Sequence, residues 1–537
     1  MTSSSLAFFT VDRGAATTAA ALIAPVDGRY RLLAAGAVPH DADPDALLAD
    51  LVARVVAVDP GLLGEPEAWA GWLRLACATA AAPRVVCAGT SDRSLAGVRG
   101  AFAAAGWEVA GAVLPGDAEV LAATELLLDA AIPAVAVATG DLAEADERAA
   151  LPRLAALIGA IAARRPELRV LACGVPTEIV ESVSADRVLH LPPPGDLPPA
   201  RDPGLRAVLL ELAGRGAGPA GAIPDGRAAW AAGVASLADL LGCDLDAIDI
   251  GHAAGARVHV QPDGALVHLV TTRGALVPAE SIADEAALDA IVRWSSLRSD
   301  PFTLHDRLRN LALQPWRDTT GDGPRLRLAA LRGALERIDA AWQVAAAPDP
   351  EAPPAPVLLL SGGVLGAVPP PATLLAVADT LRRPGARVVL ADHARILAPI
   401  GTLPSAADRR RSLGDLLDDL LLPVGTTLGI PDLPEGERSG GLLSLATPFG
   451  AREVPLAAEE LRVVDLPPGV TGRADVAIRS AGMRAAREEV RTWEVNGGLG
   501  GLLVDGRPIP LLLPDRAERR RALLEAWEQP AWGPLEA

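Results

Sequence analysis

The sequence predicts an α/β protein of two related lobes, residues 1–245 and 246–430, followed by a small β-rich domain with a terminal helix at 440–537. Three observations predict this. A strand ending in Asp-x-Gly and followed by an apolar hairpin occurs twice, at Asp12-Arg13-Gly14 and at Asp249-Ile250-Gly251. Helical and strand periodicities alternate between Asp45 and Val180, as in α/β architectures. Beyond Pro431 the helical period fades, and short strands separated by Pro and Gly run to about Leu513.

The elements follow in order. Leu6 to Val11 is an apolar, β-prone strand, Asp12-Arg13-Gly14 turns the chain, and Thr17 to Ala24 returns. Asp27-Gly28 is a hairpin signal before a third strand, Tyr30 to Ala37. Helices are expected at Asp45–Val58, Leu95–Ala105, Asp117–Asp129 and Ala143–Ala163, with strands at Arg84–Cys87, Val109–Val113, Ala134–Ala138 and Arg169–Ala172. The Pro-rich stretches Pro192–Pro203 and Asp349–Pro356 read as loops. The second copy begins with a helix at Trp230–Leu241 and a strand at Ala247–Ile250. A hairpin, Arg257–Val260 and Leu266–Thr271, turns at Pro262-Asp263-Gly264. Helices at Ser281–Leu297 and Leu326–Ala346 precede the strand Val357–Leu360, which runs into Gly362-Gly363. Helix Ala372–Leu381 and strand Arg387–Leu390 follow. The third region holds strands at Glu453–Pro455, Leu461–Asp465, Ala474–Arg479 and Gly501–Val504, then a helix at Asp515–Glu528.

Composition excludes several function classes. The net charge of −18 argues against a nucleic-acid partner, which needs a clustered basic surface, and against anionic membranes. Every basic residue is Arg. That removes Schiff-base, P-loop and general-base lysine chemistry. Cys77, Cys87, Cys173 and Cys243 form no C-x-x-C pair and read as reduced, buried thiols. The seven His fit no zinc motif, and no Gly-x-Ser-x-Gly elbow occurs. With no apolar run long enough to span a bilayer and no signal-peptide pattern, the expected location is the cytoplasm.

The repeated Asp-x-Gly turn has a chemical use. Its carboxylate can hold Mg²⁺ directly or through water, and its glycine lets backbone N–H groups approach a phosphate. Two such loops facing each other can clamp a nucleotide's phosphates, and a later glycine turn lets adenine or ribose lie on the backbone. The candidate nucleotide-binding residues are Asp12, Gly14, Thr17, Thr18, Asp249, Gly251, His252, Gly362 and Gly363, with Asp12 and Asp249 as the metal ligands.

These segments resemble the glutamate (methylaspartate) mutase accessory family, the MutL-like family of the ASKHA superfamily. The resemblance spans roughly residues 6–425. It rests on Val11-Asp12-Arg13-Gly14-Ala15-Ala16-Thr17-Thr18, Ile248-Asp249-Ile250-Gly251, Leu360-Ser361-Gly362-Gly363-Val364 and the stretch Leu308 to Pro315. It implies the two-lobed actin/Hsp70-like, ribonuclease H-like fold, with ATP and Mg²⁺ as ligands. It also implies service to a B12-dependent mutase as chaperone or reactivator.

The sequence departs from that family's pattern. Ala19 stands where the family has a Lys, and Arg13 where it has an apolar residue. The second loop has lost more. Its second Gly is His252, its two hydroxyl positions are Ala254 and Gly255, and its final carboxylate is Ala256. Phosphoryl transfer depends on positioning and electrostatic stabilisation, and single donors are often worth roughly 3 kcal/mol. The expectation is therefore an accessory or scaffold protein with a degenerate cleft, in which binding without turnover stays open. The alternative is an active Mg²⁺-dependent ATPase that reactivates a B12-dependent mutase. A small-molecule kinase is a third reading, with Asp92, Asp141 and Asp186 as equal candidates for its base. His252 is read either as a phosphate ligand or base, or as structural; Arg257 is a possible phosphate contact, and Asp415, Asp418 and Asp419 form a solvated acidic face.

Overall fold

The structure is a computed structural model that describes residues 7–63, 72–79, 82–115, 120–195, 203–213, 223–276, 282–317, 320–346, 348, 355–431, 433, 440–479 and 488–533. Parts of several expected elements lie outside these residues: Leu6, the helix start at Asp117, Ser281, 196–202 of the first Pro-rich loop and 349–354 of the second.

The first sheet contains β1 (Phe8–Arg13), β2 (Thr17–Val26), β3 (Arg29–Pro39) and, after helix α1 (Pro44–Val58), β4 (Leu73–Ala78). Their order is β3-β2-β1-β4, with β1 antiparallel to β2 and parallel to β4. Strand alternation divides its side chains between two cores. Phe9, Val11 and Leu22 face α1 with Leu47 and Leu51, while Phe8, Ala21 and Ile23 join the core at the joint of the lobes. Asp43 caps α1 by accepting from the Asp45 N–H, and Pro44 occupies the first turn, where no N–H is needed.

The chain then leaves this sheet. The segments expected to alternate within the first lobe form a sheet of their own. It comprises β5 (Arg84–Gly89), α2 (Asp92–Ala104), β6 (Glu108–Val113), α3 (Val120–Leu128), β7 (Ala134–Ala138), α4 (Ala145–Arg164), β8 (Arg169–Cys173), α5 (Thr177–Val180), β9 (Val188–Leu191) and α6 (Pro203–Leu212). All five strands are parallel, in the order β6-β5-β7-β8-β9. Strand β7, Ala-Val-Ala-Val-Ala, is buried throughout, as a parallel strand covered on both faces must be. The order reverses between β5 and β7, where such sheets bind ligands. Here Glu147 closes that crevice: it accepts from the Thr90 hydroxyl and, at 3.1 Å, from the Gly140 N–H.

Helix α7 (Gly226–Leu241) returns the chain to the lobes, capped by Asp225 and ended by Gly242 at φ +63°. The second lobe repeats the first. It runs β10 (Leu245–Ile250), β11 (Ala254–Val260), β12 (Leu266–Arg273), α8 (Ile282–Arg293), α9 (Pro301–Leu313), α10 (Gly323–Ala346), β13 (Val357–Ser361), α11 (Pro370–Thr380), β14 (Gly385–Asp392), α12 (Leu397–Gly401), α13 (Ala406–Leu420) and β15 (Leu421–Gly429). The order β12-β11-β10-β13 reproduces β3-β2-β1-β4, strand sense included, and β14 adds the next parallel strand.

The segment beyond residue 440 does not stand apart as one domain. Strands β16 (Gly441–Thr447), β17 (Gly450–Leu456), β19 (Thr471–Arg479) and β20 (Glu488–Asn496) form an antiparallel sheet in the order β17-β16-β19-β20. Strands β18 (Leu461–Val464) and β21 (Leu502–Asp505) instead extend the second-lobe sheet, β21 pairing in parallel with β15. Helix α14 (Ala517–Trp532) packs on α11, and its Leu524, Trp527 and Ala531 complete the second-lobe core.

Among the contacts that hold the lobes together are those made by α13 and α12. On α13, Asp419 accepts from Arg31 Nε and Nη2, both at 2.7 Å, and from the Leu32 N–H at 3.1 Å. Two of the three acids expected to be solvated, Asp415 and Asp419, therefore dock on β3, where the free N–H groups of the strand edge need acceptors, while Asp418 stays exposed. Helices α7 and α12 cross through glycines: a Cβ on Gly401 would stand 1.8 Å from the Ala229 carbonyl oxygen. Gly401→Ala is expected to destabilise the chain by about 1–3 kcal/mol through overpacking. Urea unfolding checks this, and a change below about 0.5 kcal/mol would show that the crossing yields freely. No described helix is long and apolar enough to cross a membrane.

Candidate nucleotide cleft

The two Asp-x-Gly turns fold alike. Asp12 and Asp249 are the penultimate residues of β1 and β10, the equivalent first strands of the two sheets. The Gly14 N–H donates to the Thr17 carbonyl at 2.9 Å, and the Gly251 N–H donates to the Ala254 carbonyl at 2.9 Å. Thr17 and Ala254 are thus structural equivalents, and the second loop lacks the hydroxyl that the first carries. At the third turn, Gly362 has φ +107° and a Cβ there would lie 2.2 Å from the Ile250 carbonyl oxygen. Only glycine serves this close approach.

Eight of the nine candidate residues line one cleft: Asp12, Gly14, Thr17, Asp249, Gly251, His252, Gly362 and Gly363. Thr18 does not. It lies next to Thr17 on β2, so its side chain points to the other face and is buried there. Arg257 is turned to another task. It donates to Asp246 from Nε at 3.0 Å and Nη2 at 2.8 Å, and to Asp339 from Nη1 at 2.7 Å. Asp92, Asp141 and Asp186 are exposed on the inserted parallel sheet and its loops, outside the cleft.

Sequence reasoning missed Arg395 and Asp392. Arg395, at φ +54°, donates from Nη1 to Thr17 Oγ1 at 3.0 Å, and its Nε lies 3.8 Å from Asp12 Oδ2. Asp392 ends β14 and accepts from the N–H groups of Ile396 at 3.1 Å and Leu397 at 3.2 Å. A third carboxylate at the end of an apolar strand was a usable signal for Asp392. Nothing local marks Arg395, which acts on residues 378 positions away.

Three carboxylates therefore share one guanidinium in a buried space. Burial pushes Asp249 up to about 7, the neighbouring Asp12 charge adds to this, and Arg395 opposes it. Burial raises Asp392 to about 6 against the N–H groups of Leu397 and Ile396. Asp12 is also raised by burial, with Arg395 and then the Cys77 thiol opposing. His252 is pulled down to about 4 by burial and by the positive charges of Arg327 and Arg395, so its imidazole is neutral at pH 7.

The cleft does not fit a nucleotide in this form. Its free volume is about 40 Å³, whereas small-molecule sites span roughly 300–1,000 Å³. Gly363 shows what fills it: a Cβ there would meet His252 Cε1 at 3.2 Å, Arg395 Nη1 at 3.3 Å and Thr17 Oγ1 at 3.4 Å. Among the described residues, no group of three or more His, Cys, Asp or Glu is placed to share a metal ion. Asp12 and Asp249 face one another with Arg395 beside them as the cation.

No family model matches the chain, and no curated protein matches it by sequence. Solved structures match at low identity. The activator of 2-hydroxyisocaproyl-CoA dehydratase from Clostridium difficile with bound ADPNP is 8% identical over 76% of this chain and 98% of that one, with a TM-score of 0.28. A nucleotide-free acetone carboxylase is 12% identical over 84% and 81%, with a TM-score of 0.30. A ROK family glucokinase from Streptomyces griseus is 12% identical over 73% and 97%, with a TM-score of 0.25. Superpositions this loose add nothing to the strand order and loop geometry. Those two features make the fold a two-lobed, ribonuclease H-like ASKHA architecture, with a parallel sheet inserted after the fourth strand and a β-rich C-terminal extension.

Proposed function

We propose that the chain is an accessory or scaffold protein of the glutamate mutase MutL-like type, whose cleft is closed from within and does not turn over ATP. Arg395 carries this reading. Its guanidinium is the counter-charge to the facing carboxylates, and it uses the Thr17 hydroxyl that a phosphate would need. The neutral His252 and the missing hydroxyl at Ala254 support the same conclusion, because both reduce the donors available to a phosphate. The partner this reading assigns is a B12-dependent mutase subunit in the cytoplasm.

Titration calorimetry with ATP and Mg²⁺, followed by a phosphate-release assay, tests the cleft. The expected result is no turnover above buffer. Release at about 1 s⁻¹ or faster, an ordinary phosphoryl-transfer rate, overturns the reading in favour of an active ATPase that reactivates the mutase. Arg395→Ala is expected to lower stability by about 1.5–3 kcal/mol, the range for a hydrogen bond from a charged group. Chemical denaturation reads that loss, and an unchanged midpoint would mean the arginine does not close the cleft. Size-exclusion chromatography with B12-dependent mutase subunits tests the partner, and absence of a complex at micromolar concentrations removes the accessory role.

A further inference from the structure

A second cavity, of about 320 Å³, lies where the inserted parallel sheet meets the second lobe. Its walls come from α2 and β6 on one side and from β12, α8 and α10 on the other. Alanines make the space: Ala103, Ala110, Ala287, Ala290 and Ala341 all face it. Larger side chains at these positions would close the joint by direct packing. The cavity is separate from the cleft, although Arg337 on its wall donates to the Gly274 carbonyl at 2.6 Å, next to the second Asp-x-Gly loop.

The polar groups around it are mostly cationic. Arg99, Arg273 and Arg337 line it with a single acid, Glu108. Arg273 and Arg84 bind both Glu108 and Asp284, which accounts for those four charges. Arg99 and Arg337 remain over. Arg99 is half-buried and has no hydrogen bond or ion pair among the described residues. Arg337 is pulled down to about 10 by burial yet stays charged at pH 7, and its Nε and Nη1 have no hydrogen-bond partner among the described residues. The Thr271 hydroxyl, also on the wall and 1% exposed, has none either. Buried donors without acceptors are costly, and a chain of net charge −18 has carboxylates to spare elsewhere.

We infer that this cavity binds a small organic carboxylate with an aliphatic body, its charge on Arg99 and Arg337 and its chain among the alanines. The guanidinium fork matches a carboxylate, and the apolar walls match a short hydrocarbon better than a bare inorganic anion. The volume suits a molecule of about ten non-hydrogen atoms, at the small end of ligand sites.

Hexanoate is the probe, titrated calorimetrically into the full chain. Hexanol supplies the body without the charge, and acetate and inorganic phosphate supply charge without the body. Hexanoate is expected to bind with a dissociation constant of about 1 mM or tighter, at least tenfold better than the three controls. Arg99→Gln and, separately, Ala290→Leu are each expected to weaken it at least tenfold. The thermal midpoint of each variant verifies that it is folded, and Ala290, half-buried, tolerates the added volume better than the buried alanines. No binding of hexanoate at about 10 mM overturns the inference. So does equal binding of phosphate or hexanol, or unchanged affinity in either folded variant. None of these outcomes depends on whether the Asp12–Asp249 cleft binds ATP.

Discussion

Asp379→Ala is expected to cost about 3–5 kcal/mol and to loosen the C-terminal segment from the second lobe. Asp379 is completely buried between two buried arginines. Its Oδ2 lies 2.6 Å from Arg332 Nη2 on α10, and its Oδ1 accepts from Arg507 Nη1 at 2.7 Å. Arg332 also donates to Glu528 on α14 at 2.5 Å, and Arg507 to Asp505 on β21 at 2.8 and 2.9 Å. Trp294 and Trp527 stack over the two guanidiniums at 5.7 and 4.4 Å. Burial works against the charge on Arg507, but Asp379 and Asp505 more than offset it and hold the group protonated. Deleting Asp379 leaves two desolvated cations with one carboxylate each. Breaking a buried pair from one side costs about 3–5 kcal/mol, whereas an exposed pair is worth about 0–1. Asp306→Ala, which removes the exposed partner of Arg309, is the control. Hydrogen exchange should show β21 and α14 opening first in Asp379→Ala. A loss under about 1 kcal/mol would show that the network does not hold the segment.

Asp249→Asn is expected to stabilise the chain at about pH 8, by roughly 2–4 kcal/mol, and to do progressively less as pH falls toward about 4. The folded carboxyl titrates at about 7 against a reference of 3.8. Between those values the folded chain holds a proton that the unfolded chain has released. Stability therefore falls as pH rises through this window, and the loss is complete above about pH 7. Asn mimics the protonated acid and removes the penalty. His252 has the opposite sense, because its lowered value withdraws stability as pH drops below 6.5. Comparing variant and parent at each pH cancels that contribution. Thermal midpoints that fall in Asp249→Asn at pH 8 would show that the ionised carboxylate is the form the fold supports.

Local features of the sequence were readable and distant ones were not. Asp12-Arg13-Gly14, Asp249-Ile250-Gly251 and Gly362-Gly363 announce turns because glycine and aspartate act on their immediate backbone. The strand period over 84–172 is equally local, and the strands are there, with β9 added beyond them. Which sheet they join is a matter of long-range pairing, so an independent parallel sheet looked like part of the first lobe. Strand β4, Leu-Arg-Leu-Ala-Cys-Ala, carries no strong β-formers and depends on its pairing with β1. The C-terminal strands posed the same difficulty: β21, Leu-Leu-Val-Asp, reads as one more short strand of that region, and only its pairing takes it to the edge of β15. In the cleft, the Asp-x-Gly loops were legible, but Arg395 was not, since its meaning depends on Thr17 and Asp12 arriving from the other lobe.

The late return of β21 to β15 has a consequence for biosynthesis. Strand β15 ends at Gly429, while β21 starts at Leu502 and Glu528 comes later still. At about 5–20 residues per second, the ribosome leaves the outer edge of β15 open for roughly 4–15 seconds and the second carboxylate of Arg332 unsupplied for roughly 5–20 seconds. An open strand edge in that interval can pair with another nascent chain. Chains cut short before residue 502 should therefore accumulate as aggregates, and the rate of translation through 430–530 should govern the soluble yield.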